Sequence, residues 1–272
     1  MPLDTSTYHL AHLRLDGRRW NELRRFHALL STQASADGSS YLESGNSKVI
    51  CTVTGPSEQR RSGAPASNAQ RDSAQIIVDI SLAGFSGVDR RKTARGSKDR
   101  KVMEMQHCVE ECFGGVVLGH LYPHSVVQVN VAVLSQDGGV LAACINAVGL
   151  ALVDAGVPMM GYVAAVTVGS TGTGGGSGGE GEDADDPVLD LNGLEENELP
   201  FLTLATVGGG GDGGGDAGEG DKVNVLVMET RMQMAKLESM VAVGLEGCKR
   251  VRALLDAAVK GHGKKVLEGK VG

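Results

Sequence analysis

The chain has 272 residues, enough for one large domain or two small ones, and 41% of them are hydrophobic, as in ordinary globular proteins. Its formal net charge is −7, but thirteen of the 33 acidic residues fall in the segments 180–198 and 212–221, so the rest of the chain is net basic. No apolar run reaches the ~18 residues of a membrane-spanning helix. Residues 1–30 are rich in arginine without an apolar stretch, so we expect an intracellular protein without a signal peptide or membrane contact.

The five cysteines form no C-x-x-C pair and no Cys/His cluster with zinc spacing. Cys108 and Cys112 lie one helical turn apart, so a metal or redox role there stays open. Because most of the cysteines lie inside apolar patterns, the sequence favours buried free thiols in a reducing compartment. We expect no cofactor.

The first half of the chain alternates strand and helix patterns. Strands are predicted at 39–54 (two strands joined by a turn at 44–46), 75–82, 125–135 and 161–169, and helices at 101–118 and from 140 to about 154. Two β-rich blocks around helices indicate two similar halves of one α+β domain.

The second half contains two Gly-rich, acidic segments, 169–187 and 208–221, which are predicted to be loop insertions. Strands are predicted at 188–191, at 200–207 and in the stretch VNVLVME, and a last helix from about Gln233 to Val259. We therefore expect a single domain over 1–260, followed by a basic tail at 261–272.

A turn of Asp137, Gly138 and Gly139 leads into the helix that begins near residue 140. A glycine turn at a helix N-terminus presents backbone N–H groups that can hold a phosphate. The next two residues are Val140 and Leu141, whose side chains cannot bind an anion. The turn has the shape of a phosphate site without its charged contacts.

Four motifs occur in an order that resembles the RNase PH family of phosphate-dependent 3′-to-5′ exoribonucleases. They are LRLDGRRWNELR, DGSSYLESGNSKVICTVTGP, YPHSVVQVNVAVLSQDGGVLAACINAVGLALVDAGVPM and LDLNGLEEN. Within the family, the chain is similar to ring subunits of the eukaryotic RNA exosome. The resemblance implies an RNase PH-like fold (ribosomal protein S5 domain 2-like) with two βαβ-type halves around central helices. It also implies a hexameric ring whose pore threads single-stranded RNA.

The resemblance also assigns positions of the site. Val140 and Leu141 match a Thr-Arg or Ser-Arg pair that holds the attacking phosphate in active members. Asp190 and Glu196 match two aspartates that serve metal binding and acid catalysis. Because leucine cannot replace a guanidinium, we predict a degenerate site with no catalytic residue and no metal. Asp190 is equally well explained as a turn or capping acid, and an active phosphorolytic enzyme remains the alternative.

The basic residues divide into two groups. The resemblance places RNA contacts at the pore, and the alternative is a solvated loop; the positions are Arg60, Arg61, Arg95, Lys98, Arg100 and Lys101. The arginines near the start are expected to make fold or subunit contacts, pairing with acids such as Asp16 and Glu22.

The implied partners are other RNase PH-like ring subunits, S1/KH cap proteins, an associated hydrolytic exoribonuclease and single-stranded RNA. The implied location is the nucleus and nucleolus, and also the cytoplasm.

Overall fold

The computed structural model describes residues 13–58, 73–87, 90, 99–171, 187–209, 222–230, 232 and 234–269. These residues form two sheets and four α-helices: α1 (Arg100–Gly114), α2 (Val140–Asp154), α3 (Gly193–Glu198) and α4 (Met234–Leu267). A short 3₁₀ turn lies at Gly119–Leu121. None of the helices in these ranges is long and apolar enough to cross a membrane.

The first sheet has five strands in the order β1-β2-β3-β5-β4. They are β1 (Phe26–Leu30), β2 (Gly38–Ser44), β3 (Ser47–Glu58), β4 (Gln75–Leu82) and β5 (Ser125–Ser135). β4 and β5 are parallel and are joined through α1, whereas the other neighbours are antiparallel. Alternate valines of β5 are buried, which is the period-2 pattern of a strand with one face on the core.

The second sheet has four antiparallel strands in the order β7-β6-β8-β9. They are β6 (Gly161–Ser170), β7 (Pro187–Leu189), β8 (Phe201–Gly209) and β9 (Lys222–Met228). α3 lies in the connection from β7 to β8.

The three longer helices pack against both sheets. α2 contacts β2 and β3 of the first sheet and β6 of the second, α4 contacts β1 and β6, and α1 contacts β4 and β9. α2 is buried on all sides from Ala142 to Leu152, and its small alanines and glycine allow both sheets to approach it. One hydrophobic core therefore includes residues of both sheets and of α1, α2 and α4, which confirms the predicted α+β fold around central helices.

β4 is an edge strand of the first sheet, and side chains of α1 bind its backbone and side chains. The backbone N–H of Val78 donates to the Glu110 carboxylate at 3.0 Å. The Gln106 side-chain amide donates to the Asp79 carboxylate at 2.9 Å.

Two predicted helix ends were wrong. α1 ends at Gly114 rather than at 118, because Gly114 and Gly115 end the helix before its apolar pattern does. α4 continues to Leu267, so residues 261–267 of the predicted basic tail are helical. Its last turns are held by His262, whose ring nitrogen lies 3.3 Å from Ser31 Oγ and 3.7 Å from Asp154 Oδ1.

The cysteines are free thiols, as predicted. Four of them are buried, and Cys108 is half-buried. Burial raises the pKa of Cys144 to about 12. Most of the two predicted insertions, residues 172–186 and 210–221, lies outside the described ranges. At their described edges the chain is in strands, because β6 ends at Ser170, β7 begins at Pro187 and β8 ends at Gly209.

Candidate phosphate-binding site

The turn between β5 and α2 requires glycine at two positions. Gly138 and Gly139 have φ angles of 73° and 62°, in the left-handed region that favours glycine. A Cβ atom at Gly138 would also lie 2.6 Å from the Leu191 carbonyl oxygen. The predicted turn and the predicted start of the helix are both confirmed, with Gly139 as the N-cap of α2.

The Asp137 side chain ties this turn to two other parts of the chain. Its Oδ1 accepts from the backbone N–H of Gly193 at 3.0 Å, and its Oδ2 accepts from Asn46 Nδ2 at 2.9 Å. The turn is therefore held between the start of α3 and the β2–β3 hairpin.

Val140 and Leu141 occupy the first turn of α2. Both side chains are half-buried and pack against the hydrophobic core. They therefore supply apolar contacts, and no charge, to the first turn of α2.

Asp190 follows β7 with a φ of 55° and is buried. Its Oδ2 accepts from the backbone N–H of Arg24 at 2.8 Å, and its Oδ1 accepts from Arg24 Nε at 3.0 Å and Nη2 at 2.8 Å. The Arg24 guanidinium also donates to the carbonyl oxygens of Asp137 and Gly138. Asp190 is thus a turn residue that anchors an arginine, and it is not the cap of α3, a role taken by Asn192.

Glu196 lies on α3, and its Oε2 accepts from the backbone N–H of Gly139 at 2.9 Å. The resemblance matched Asp190 and Glu196 to a pair of aspartates, but in the structure the two carboxylates have different hydrogen-bond partners. Within the described ranges, no group of three or more His, Cys, Asp or Glu side chains is placed to hold a metal ion.

The arginines of the N-terminal segment make fold contacts. Arg14 forms a buried ion pair with Glu195 and donates to the Leu189 carbonyl at 2.6 Å. Arg18 pairs with Asp16 at 2.6 Å, as expected, and donates to the Asp190 carbonyl at 3.0 Å. Burial would raise the pKa of Asp16, but the hydrogen bond and charge of Arg18 outweigh it and hold that pKa below its usual value.

Behind the turn lies a buried hydroxyl that has no hydrogen-bond partner in the part of the chain that the structure describes. Thr167 on β6 is 2% exposed, and its Oγ1 is unpaired among the described residues. A Cβ atom placed on Gly139 would lie 3.2 Å from this oxygen and 3.0 Å from Arg24 Nη2. A small cavity next to Arg24 and Gly139 is lined mainly by apolar side chains, together with Asn146 and Asp190, and Thr167 is not part of its lining.

Only part of the predicted RNA-contact set can be located. Arg100 and Lys101 are exposed at the start of α1, and Arg100 pairs with Glu104 at 2.8 Å. Arg60, Arg61, Arg95 and Lys98 lie outside the described residues.

Family models match both halves of the chain. The model described as 3′ exoribonuclease family, domain 1, matches residues 22–158, and that described as domain 2 matches residues 161–247. The chain belongs to the RNase PH family. The resemblance inferred from the four motifs is confirmed.

Relatives within the RNase PH family match over nearly their full length. The exosome complex component SKI6 of Saccharomyces cerevisiae is 36% identical over 256 residues, which are 93% of this chain and 92% of the relative. The exosome complex component RRP41 of Homo sapiens is 35% identical over 250 residues, which are 92% of this chain and 91% of the relative.

Two solved structures have the same RNase PH fold. Rrp46 of rice (Oryza sativa) superposes with a TM-score of 0.73 at 22% identity, over 91% of this chain and all of that one. A chain of the Archaeoglobus fulgidus exosome, solved with RNA bound to the active site, gives a TM-score of 0.70 at 18% identity, over 92% of this chain and 95% of that one.

Proposed function

We propose that this chain is a non-catalytic RNase PH-like ring subunit of an RNA exosome in 3′-to-5′ RNA processing and decay. It scaffolds a hexameric ring with other RNase PH-like subunits and S1/KH cap proteins. It guides single-stranded RNA to a separate hydrolytic nuclease, in the nucleus and nucleolus and in the cytoplasm. The names of its relatives, which are exosome components, support the assignment to this complex.

The loss of activity is supported by the residues around the turn. Phosphorolysis needs a phosphate held in position and a group that stabilises the developing charge. The first turn of α2 offers Val140 and Leu141 in place of a cation. Both carboxylate oxygens of Asp190 are taken by Arg24, so this carboxylate is a structural anchor rather than an acid facing a substrate.

The proposed binding of RNA is supported by the basic residues at the start of α1 and by the basic residues that lie outside the described ranges. Such side chains bind the RNA backbone by charge without reading sequence. Arg100 and Lys101 are exposed, and Arg100 would exchange its surface pair with Glu104 for a phosphate contact.

The test uses this chain assembled with its ring partners. We expect no nucleoside diphosphates from a single-stranded RNA with a free 3′ end, Mg²⁺ and inorganic phosphate, while the RNA stays bound. Arg100→Glu combined with Lys101→Glu should weaken RNA protection and its salt dependence without changing assembly. The matched control is Lys264→Glu with Lys265→Glu, an adjacent exposed pair on the last turn of α4.

Phosphate-dependent formation of nucleoside diphosphates would instead support the alternative, an active phosphorolytic 3′-to-5′ exoribonuclease. If both charge-reversal variants protect RNA equally, Arg100 and Lys101 are solvated surface residues that make no contact with RNA.

A further inference from the structure

Phe85 differs from the other phenylalanines that the structure describes, because its ring faces solvent. Its side chain is 71% exposed, whereas Phe113 is fully buried, and Phe26 and Phe201 pack against buried apolar residues. A single exposed apolar side chain is common on protein surfaces. The meaning of this one therefore depends on how the ring is held and on what surrounds it.

The turn that carries Phe85 is anchored to β5 and to the residue after it. The Ser86 N–H donates to the Ala83 carbonyl at 2.9 Å and closes the turn, and the Ala83 N–H donates to the Val133 carbonyl at 3.0 Å. Ser86 is buried; its carbonyl accepts from the Gln136 N–H at 2.9 Å, and its Oγ accepts from Gln136 Nε2 at 2.8 Å. An anchored turn loses little entropy when a partner covers the ring that it presents.

The first turn of α1 lies level with this turn. Later residues of α1 contact earlier residues of β4, so the helix and the strand are antiparallel. Gln106 contacts Asp79. From Gln106 back to Arg100 the helix rises about 9 Å, and from Asp79 on to Leu82 the strand rises about 10 Å. Arg100 is therefore close to the end of β4, where the turn of Phe85 begins.

The chain around Phe85 and the start of α1 is strongly basic. The sequence from 89 to 101 carries seven cations and two acids. Of its described residues, Arg90, Arg100 and Lys101 are exposed cations. Lysine is depleted at interfaces between proteins, whereas an aromatic ring beside cations is typical of sites for single-stranded nucleic acids. The surroundings of Phe85 therefore favour RNA over a protein partner.

We propose that Phe85 stacks on one base of the single-stranded RNA, and that Arg100 and Lys101 bind the backbone phosphates next to that base. This inference rests on the proposed function, because it requires RNA to pass the start of α1. Every base has a π face, so Phe85 adds affinity without a strong preference for sequence. The cations act through charge and the ring through contact, so the two contributions differ in their response to salt.

The first test removes the ring from the assembled complex. Phe85→Ala should weaken the binding of a single-stranded RNA about 5- to 150-fold, which is the usual effect of losing one stacked base. The dependence of affinity on salt should stay unchanged, whereas Arg100→Glu combined with Lys101→Glu lowers it. Fluorescence anisotropy of a labelled RNA at several salt concentrations measures both quantities.

The matched control removes an exposed aromatic ring from the other end of α2. Tyr162, at the start of β6, is 38% exposed. Tyr162→Ala should leave the affinity for RNA unchanged.

The second test changes the RNA and the kind of ring. An RNA of the same length without bases cannot stack, so the wild type and Phe85→Ala should bind it equally. Phe85→Trp should keep the affinity for intact RNA. Bound RNA should also quench the fluorescence of the introduced indole, beyond any change that Trp20 shows in the wild type.

Two results would overturn the proposal. One is equal affinity of the wild type and Phe85→Ala for intact RNA. The other is a Phe85→Ala ring that dissociates into subunits at concentrations where the wild-type ring stays assembled in sedimentation, because Phe85 then packs against a neighbouring protein.

The stacking and the proposed function can fail separately. A ring that loses RNA on charge reversal but not on Phe85→Ala contradicts the stacking alone. A ring that forms nucleoside diphosphates contradicts the non-catalytic function and leaves the stacking unaffected.

Discussion

Arg24 is the residue on which the geometry around the turn depends. Its guanidinium and backbone N–H bind both oxygens of Asp190, and the guanidinium also binds the backbone of the turn before α2. The side chains of the pair are 6% and 9% exposed. Removal of one partner leaves a buried charge unpaired, which costs more than the intact pair contributes.

Arg24→Ala should lower the free energy of unfolding by about 3–5 kcal/mol, because Asp190 would remain buried without its cation. Arg100→Ala is the control, since it breaks an exposed pair whose side chains are 92% and 60% exposed. That change should cost less than about 0.5 kcal/mol. Urea denaturation of the two variants measures the difference, and equal midpoints would contradict a structural role for the buried pair.

At this scale the sequence predicted the local turn before α2 better than it predicted the contacts between distant residues. Val140 and Leu141 directly follow the Gly-Gly turn in the sequence, so their place in the first turn of the helix can be predicted from neighbouring residues alone. The pairs Arg24–Asp190 and Arg14–Glu195 join residues 166 and 181 positions apart, and no local pattern encodes such a distance. The contact of Glu196 with Gly139 depends in the same way on where α3 lies in the fold.

At the scale of elements, Gly38 sets how closely β2 approaches the end of α2. A Cβ atom at this position would lie 2.4 Å from both the Ala151 carbonyl oxygen and the Ala155 nitrogen. Both are backbone atoms, so the strand and the helix would have to separate.

Gly38→Ala should therefore destabilise the fold by about 1–3 kcal/mol through overpacking. The matched control is Gly261→Ala in α4, where a Cβ atom would meet nothing within 4 Å. In an exposed helix this second change should stabilise by up to about 1 kcal/mol. Thermal unfolding should show the two alanines shifting the midpoint in opposite directions, and a shift in the same direction would contradict the close approach.

Elements with a strong pattern were predicted well, and short ones were missed. β5 and α2 match their predicted bounds. A run of β-branched residues identifies β5, and the glycine turn marks the end of β5 and the start of α2. β1 has only five residues and is separated from the Asp-Gly turn signal at 37–38 by a stretch of Ser, Thr, Gln and Ala, so its pairing with β2 decides its structure. α3 was also missed, although Asn192 and Glu195 form a capping box that a search for N-x-x-E would have found.

At the scale of the whole molecule, the two halves share one core. Leu152 of α2 is fully buried in a cluster that contains residues of both sheets and of α4. The boundary between the two matching family models, near residue 160, therefore does not separate two hydrophobic cores. We expect both halves to unfold together.

Leu152→Ala should lower the free energy of unfolding by about 2–5 kcal/mol and shift a single transition. The fluorescence of Trp20, the one tryptophan of the chain, and far-UV circular dichroism should give the same midpoint. Leu267→Ala is the control, since this side chain is 89% exposed at the end of α4 and should change stability by less than about 0.5 kcal/mol. Separate midpoints for the two signals would contradict one cooperative unit.

Side chains of α1 bind β4 at the edge of the first sheet, and this affects how readily another strand can add to that edge. An uncovered edge strand is a template on which further strands add, and this is a route to aggregation. At Val78 the hydrogen bond that an added strand would need is already made by Glu110, and at Asp79 the carboxylate is held by Gln106. A helix of the same chain thus occupies one of the backbone donors that an added strand would need, which disfavours growth of the first sheet at this point of β4.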